Sequence, residues 1–270
     1  MSFANVFSKR NRALLRELVA TDFKLRYQGS VLGYAWSLLR PLLLFLIMYV
    51  VFVRFLRIGQ GVPHFPVYLL MGIVLWNFFA EMTSQSLGSI VGRGDLIRKI
   101  RIPRWIIVLS SSLSALINLA LNLIVVGVFI AVNHVAITGA ALWMPLILVE
   151  IYVLSLGVSL FLAALFVKYR DMSYIWEVVL QGMFYLTPII YPVTYIKNPT
   201  LLKLMFLNPM AQAIQDVRHV VITPATVTIR DHTVLQGQLL QYAPFALAII
   251  ILIGGVLYFR KQAKYFAEDI

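Results

Sequence analysis

The chain has 270 residues, of which 61% are hydrophobic and 13% charged, with 23 Lys and Arg against 11 Asp and Glu. This balance excludes a soluble globular domain, whose surface must face water, and makes lipid the solvent for much of the chain. The absence of Cys excludes disulfides, thiolate metal sites and cysteine nucleophiles.

The apolar residues fall in long blocks, which favours membrane helices over a barrel of short alternating strands. The basic amino-terminal stretch has no immediate apolar core and no small-residue cleavage site, so no removable signal peptide is expected. With no fixed-period repeat, residues 1–270 read as one membrane domain.

From Arg12 to Tyr27, Leu14, Leu15, Leu18, Val19 and Phe23 share one helical face, while Arg16, Glu17 and Lys24 lie elsewhere. The pattern predicts an amphipathic interface helix over 12–27 along the cytoplasmic leaflet, serving either as an anchor or as a docking surface.

Apolar blocks then run near Trp36 to Phe55, Val67 to Leu87, Trp105 to Val132, Leu142 to Val167, Tyr174 to Tyr191 and Tyr242 to Phe259. Each approaches the ~20 residues that cross ~30 Å of hydrocarbon, giving six expected crossings. The first is short, because uninterrupted apolar sequence covers only Pro41 to Val53. The fifth carries Thr187-Pro188 near its end and is expected to break. Of the Lys and Arg, only Arg54, Arg57, Lys197, Lys203, Arg218 and Arg230 fall in the alternate connections, which places both termini in the cytoplasm.

Between the second and third blocks, Asp95 is positioned to cap a short helix reaching Arg101, with Pro103 stopping it. Leu96, Ile97 and Ile100 call for burial, whereas Arg98, Lys99 and Arg101 prefer water or acidic partners. The segment reads as a docking knob or as a basic loop dipping into lipid.

Within the third block, Ser110, Ser114, Asn118 and Asn122 recur every four residues along one face, a pattern that favours close helix packing over a transport-path lining. Glu81, Glu150 and Glu177 must avoid lipid: Glu177 is placed to share a polar seam with Gln181, and Glu81 and Glu150 sit near span ends, within reach of water. The aromatics Trp76, Phe78, Phe79, Tyr174, Trp176, Phe184, Tyr185, Tyr191 and Tyr195 suit interfacial belts, or a slippery surface for sugar rings. The outer connection, 192–241, is too long for a turn and must hold its own structure. Asn208-Pro209 signals a helix start there, with a second helix expected from Thr200 to Leu207.

Several segments in order carry a family resemblance: Asp22-Phe23-Lys24-Leu25-Arg26-Tyr27, Ser30-Val31-Leu32-Gly33 with Trp36, and Leu96 through Arg104. Tyr169-Arg170-Asp171-Met172, Thr187-Pro188-Ile189-Ile190-Tyr191-Pro192 and Asn208-Pro209 complete the series. Together they resemble the membrane subunits of bacterial ABC exporters for cell-surface polysaccharides, the ABC-2 type permeases for O-antigen, teichoic acid and capsule.

The resemblance implies an all-α integral membrane fold of the bacterial inner membrane, with six transmembrane helices, an interface helix, a cytoplasmic coupling helix and re-entrant outer gate helices. It implies a homodimer powered by two copies of a separate ATPase subunit and moving a lipid-linked glycan. ATP and Mg would sit on that partner, in keeping with the lack of a phosphate-binding glycine-lysine loop here.

By the same resemblance, Arg16, Glu17, Asp22, Lys24 and Arg26 of the interface helix contact the ATPase. So do Asp95, Leu96, Ile97, Arg98, Lys99, Ile100 and Arg101 of the coupling helix. Channel and gate candidates are Trp76, Phe79, Tyr174, Glu177, Phe184, Tyr185, Pro188 and Tyr191. Alternatives are an ABC-2 permease for a drug, lipid or small amphiphile, a polyprenyl-phosphate transferase, and a channel or secondary transporter. The transferase lacks clustered acids or histidines, since Asp22, Asp95 and Asp171 are scattered.

Overall fold

The computed structural model describes residues 9–27, 30, 32–99, 103–229 and 240–266, and all regular structure among them is helical. The helices are α1 (Lys9–Tyr27), α2 (Trp36–Met48), α3 (Phe65–Ser89), α4 (Gly94–Lys99), α5 (Trp105–Val132), α6 (Met144–Lys168), α7 (Met172–Leu186), α8 (Pro199–Phe206), α9 (Pro209–Val221) and α10 (Ala243–Gln262).

Among the described residues, five helical segments are long and apolar enough to cross a membrane: Trp36–Phe55, Phe65–Ser89, Trp105–Val132, Gly139–Lys168 and Ala243–Gln262. The first reaches its length because a π-helical stretch, Tyr49–Phe55, continues α2 beyond the short apolar run. The fifth apolar block, Tyr174 to Tyr191, is not one continuous helix. α7 has 15 residues, about 22 Å at 1.5 Å per residue, short of ~30 Å of hydrocarbon. It stops where anticipated, since Pro188 pushes Thr187 out of the helical region to ψ 134°.

α3 is the central post. In its most apolar stretch 78% of residues are buried, against 11% for Trp36–Phe55, so α3 is wrapped by protein while α2 faces outward. α3 packs on α5, α6, α7 and α9, and α6 packs on α10. That last contact is close because glycines meet. A Cβ on Gly157 would sit 2.6 Å from Leu252 Cα, and one on Gly255 would collide with the Gly157 carbonyl. Leu46, Ile47, Ile124, Val128, Leu146, Ile250 and Leu257 are exposed, as a lipid-facing surface requires.

In the described part of the 192–241 connection two helices form, one of them at the Asn208-Pro209 start read from the sequence. Asn198 accepts from the Thr200 and Leu201 amides to open α8, and Asn208 accepts from the Met210 amide to open α9. α9 is not a surface helix, however. Met210, Ala213, Ile214 and Val217 are all at most 1% exposed, enclosed by α3, α6 and α10.

Candidate gate and coupling sites

Arg218 of α9 is fully buried. Its Nε donates to the Tyr68 carbonyl at 3.0 Å, Nη1 to the Pro188 carbonyl at 2.5 Å and Nη2 to the Ile189 carbonyl at 2.8 Å. The guanidinium carbon lies 3.6 Å from the centre of the Tyr68 ring. Gly72, one turn further along α3, makes the room, because a Cβ there would strike the guanidinium. One side chain thus ties together the start of α3, the break after α7 and α9. Carbonyls released by the Thr187-Pro188 break have no helical donors, and the Arg fork supplies them. Sequence reading counts Arg218 only as an outer-loop cation. The one available signal is an Arg placed among the apolar positions of a helix.

α7 divides into two faces. Trp176 and Phe184 turn toward α3, where Phe79 to Trp176 and Trp76 to Phe184 ring centres are 6.2 and 6.0 Å apart. Trp176 Nε1 also donates to Thr83 Oγ1 at 3.1 Å. Trp76 and Phe79 are 4% and 2% exposed, so within one chain they pack a helix seam rather than line an open surface. Tyr174, Glu177, Gln181 and Tyr185 form the other, exposed face. Pro188 is buried under Arg218, and Tyr191 is half-buried, its hydroxyl donating to the Tyr185 carbonyl at 3.1 Å.

Part of the polar side of α5 is spent on neighbours. Ser110 accepts from Arg93 at 2.9 Å, Ser112 bonds Tyr152 of α6 at 3.0 Å, and Asn118 donates to Glu81 of α3 at 2.5 Å. Glu81 also accepts from Gln85 at 2.7 Å. Glu150, expected within reach of water, is instead buried at 8% exposure.

α1 lies along α5, with Leu14, Leu15, Leu18 and Val19 half-buried and Arg16, Glu17 and Lys24 exposed, as its periodicity predicts. Asp22 accepts a charge-assisted hydrogen bond from Arg93, which precedes α4. The side chain of Arg26 lies outside the described residues. α4 begins at Gly94, so Asp95 occupies its first turn rather than capping it. Asp95 is exposed, while Ile97 packs against the buried cluster of Ile90, Ile107, Val167 and Phe266. The side chains of Arg98 and Lys99, together with all of Ile100 and Arg101, lie outside the described residues.

Nothing among the described residues assembles three or more His, Asp or Glu into a metal-holding group. Residues 13–222 match the ABC-2 type transporter family. The chain belongs to that family.

Several relatives span it almost end to end. The O-antigen export system permease protein RfbA of Myxococcus xanthus is 28% identical over 260 residues, 96% of each chain. Its namesake in Klebsiella pneumoniae is 28% identical over 256 residues, 94% of each chain. The polysialic acid transport protein KpsM of Escherichia coli is 23% identical over 256 residues, 93% of this chain and 94% of its own. In this ABC-2 chain the family match runs from within α1 to the end of α9, so Arg218 and the helix break it holds both lie within the family domain.

Proposed function

We infer that the chain is the permease subunit of an ATP-driven exporter that carries a lipid-linked polysaccharide across the bacterial inner membrane. The carrying observation is the end-to-end similarity to two O-antigen export permeases and a polysialic acid transport protein. The chemical work of ATP hydrolysis belongs to a separate ATPase, two copies of which bind ATP and Mg and serve a permease homodimer.

The membrane path has six crossings. The five long helices supply five, and α7 with the turn at 187–191 supplies the sixth, with α8 and α9 re-entering from the outer side. The bias of Lys and Arg supports cytoplasmic termini. Glu177 and Gln181 on the exposed face of α7 support the dimer, since polar groups at bilayer depth are costly unless they face protein or a water-filled path. α1 and α4 dock the ATPase, and the Asp22–Arg93 pair makes them move together. Closure of the ATPases then acts on two linked elements, which is how a docking contact biases one arrangement of the spans over another.

Deleting the gene and complementing it in the native host tests the function. Loss of surface polysaccharide with cytoplasmic accumulation of lipid-linked glycan is expected, restored by the wild-type gene. Normal surface polysaccharide in the deletion strain contradicts the reading.

A further inference from the structure

A cleft of about 490 Å³ opens between α2, α3 and α5, with Trp36, Arg40, Glu81, Ser84, Gln85 and Asn118 among its lining. Trp36, Arg40 and Ser84 are exposed, so they form its rim. Its depth is polar where the surrounding helices are apolar. Asn118 is 3% exposed, and Glu81 fixes which way its amide points: the carboxylate accepts, so Asn118 Nδ2 must face it. Asn118 Oδ1 is thereby turned away from Glu81, and it is a buried acceptor with no partner. A buried acceptor left unpaired keeps its full desolvation penalty, which a hydroxyl donor reaching it from the cleft would remove.

We propose that this cleft is a subsite for a sugar ring of the exported glycan, binding hydroxyl groups that donate to Asn118 Oδ1 and Glu81 beneath the Trp36 indole. The proposal rests on the export reading above. Its chemistry selects a neutral polyol over a phosphate. The deep groups are acceptors that repel an anion, and the cation Arg40 stands only at the rim. An exposed indole beside planar amides and a carboxylate suits a sugar, which offers hydroxyl donors at its edge and C–H groups on its face.

The test is photo-crosslinking in cells fed radiolabelled hexose, with p-benzoylphenylalanine in place of Trp36, Ser84, Tyr185 or the lipid-facing Val128. Trp36, Ser84 and Tyr185 are exposed, so the probe leaves the fold intact. Labelled adducts from the Trp36 and Ser84 positions, roughly tenfold above Val128, are expected, and Asn118→Leu or Glu81→Gln should lower them about fivefold. Adducts unchanged by both substitutions overturn the subsite, because the glycan then passes the rim without using the acceptors. Adducts from the Tyr185 position alone also overturn it and leave the export reading standing. Surface polysaccharide unaffected by deletion of the gene overturns the export reading and the subsite with it.

Discussion

Arg218 Nη1 donates to the Pro188 carbonyl at 2.5 Å from a side chain with no exposed surface, joining two positions 30 residues apart. Removing the guanidinium strands the carbonyls of Tyr68, Pro188 and Ile189 without their charged donor. Arg218→Leu is expected to destabilise the protein by roughly 3 kcal/mol, seen as a lower unfolding midpoint of the purified chain. Arg218→Lys should recover only part of this, because one ammonium cannot reproduce the planar fork. An unchanged midpoint in Arg218→Leu would mean that the helix break holds itself.

The sequence makes the ends of this arrangement visible and conceals its centre. Asn208-Pro209 announces α9 through local backbone chemistry, and Thr187-Pro188 announces the break. Arg218 looks like any loop cation, because its burial depends on Tyr68 and Gly72, which lie about 150 residues away along the chain. Trp76 and Phe79 fit an aromatic belt by composition, yet the α3–α7 seam claims them. Burial of that kind is set by tertiary packing, which helical periodicity alone does not encode. Only one face of α7 was ever free to line a path, and that face carries Tyr174, Glu177 and Tyr185.

Close approach of α6 and α10 requires glycine at both contact points. Gly255→Val is expected to cost about 2 kcal/mol or more through overpacking, because the obstructing atoms are backbone and cannot rotate away. Gly254→Val, where a Cβ meets nothing within 4 Å, is the control and should be close to neutral. Thermal unfolding of the two variants side by side measures the difference.

The Asp22–Arg93 pair is partly exposed, so its worth in stability is small, about 1 kcal/mol. Its expected effect is on coupling. Asp22→Asn should reduce permease-dependent export while leaving insertion and ATPase copurification in place. The double exchange Asp22→Arg with Arg93→Asp should restore part of the export. No recovery in the exchange variant would make the pair incidental.

Asp95 and Ile97 separate docking from folding on α4. Asp95 is exposed, so Asp95→Lys should weaken ATPase copurification without lowering the unfolding midpoint. Ile97 packs inward, so Ile97→Asp should lower the midpoint through burial of a charge, by about 2 kcal/mol or more. If both variants lower the midpoint equally, α4 is a structural clamp and not a docking surface.

The central claim is that this permease and its ATPase together move a lipid-linked polysaccharide outward. The most direct measurement reconstitutes the full chain with the partner ATPase in liposomes carrying the host's lipid-linked glycan, oriented with the ATPase outside. The glycan remaining accessible to an external glycosidase is then followed. ATP should protect the glycan with time by carrying it into the lumen, and the protection should vanish with a hydrolysis-dead ATPase. Equal accessibility with and without ATP, in vesicles whose ATPase is active, would contradict the account.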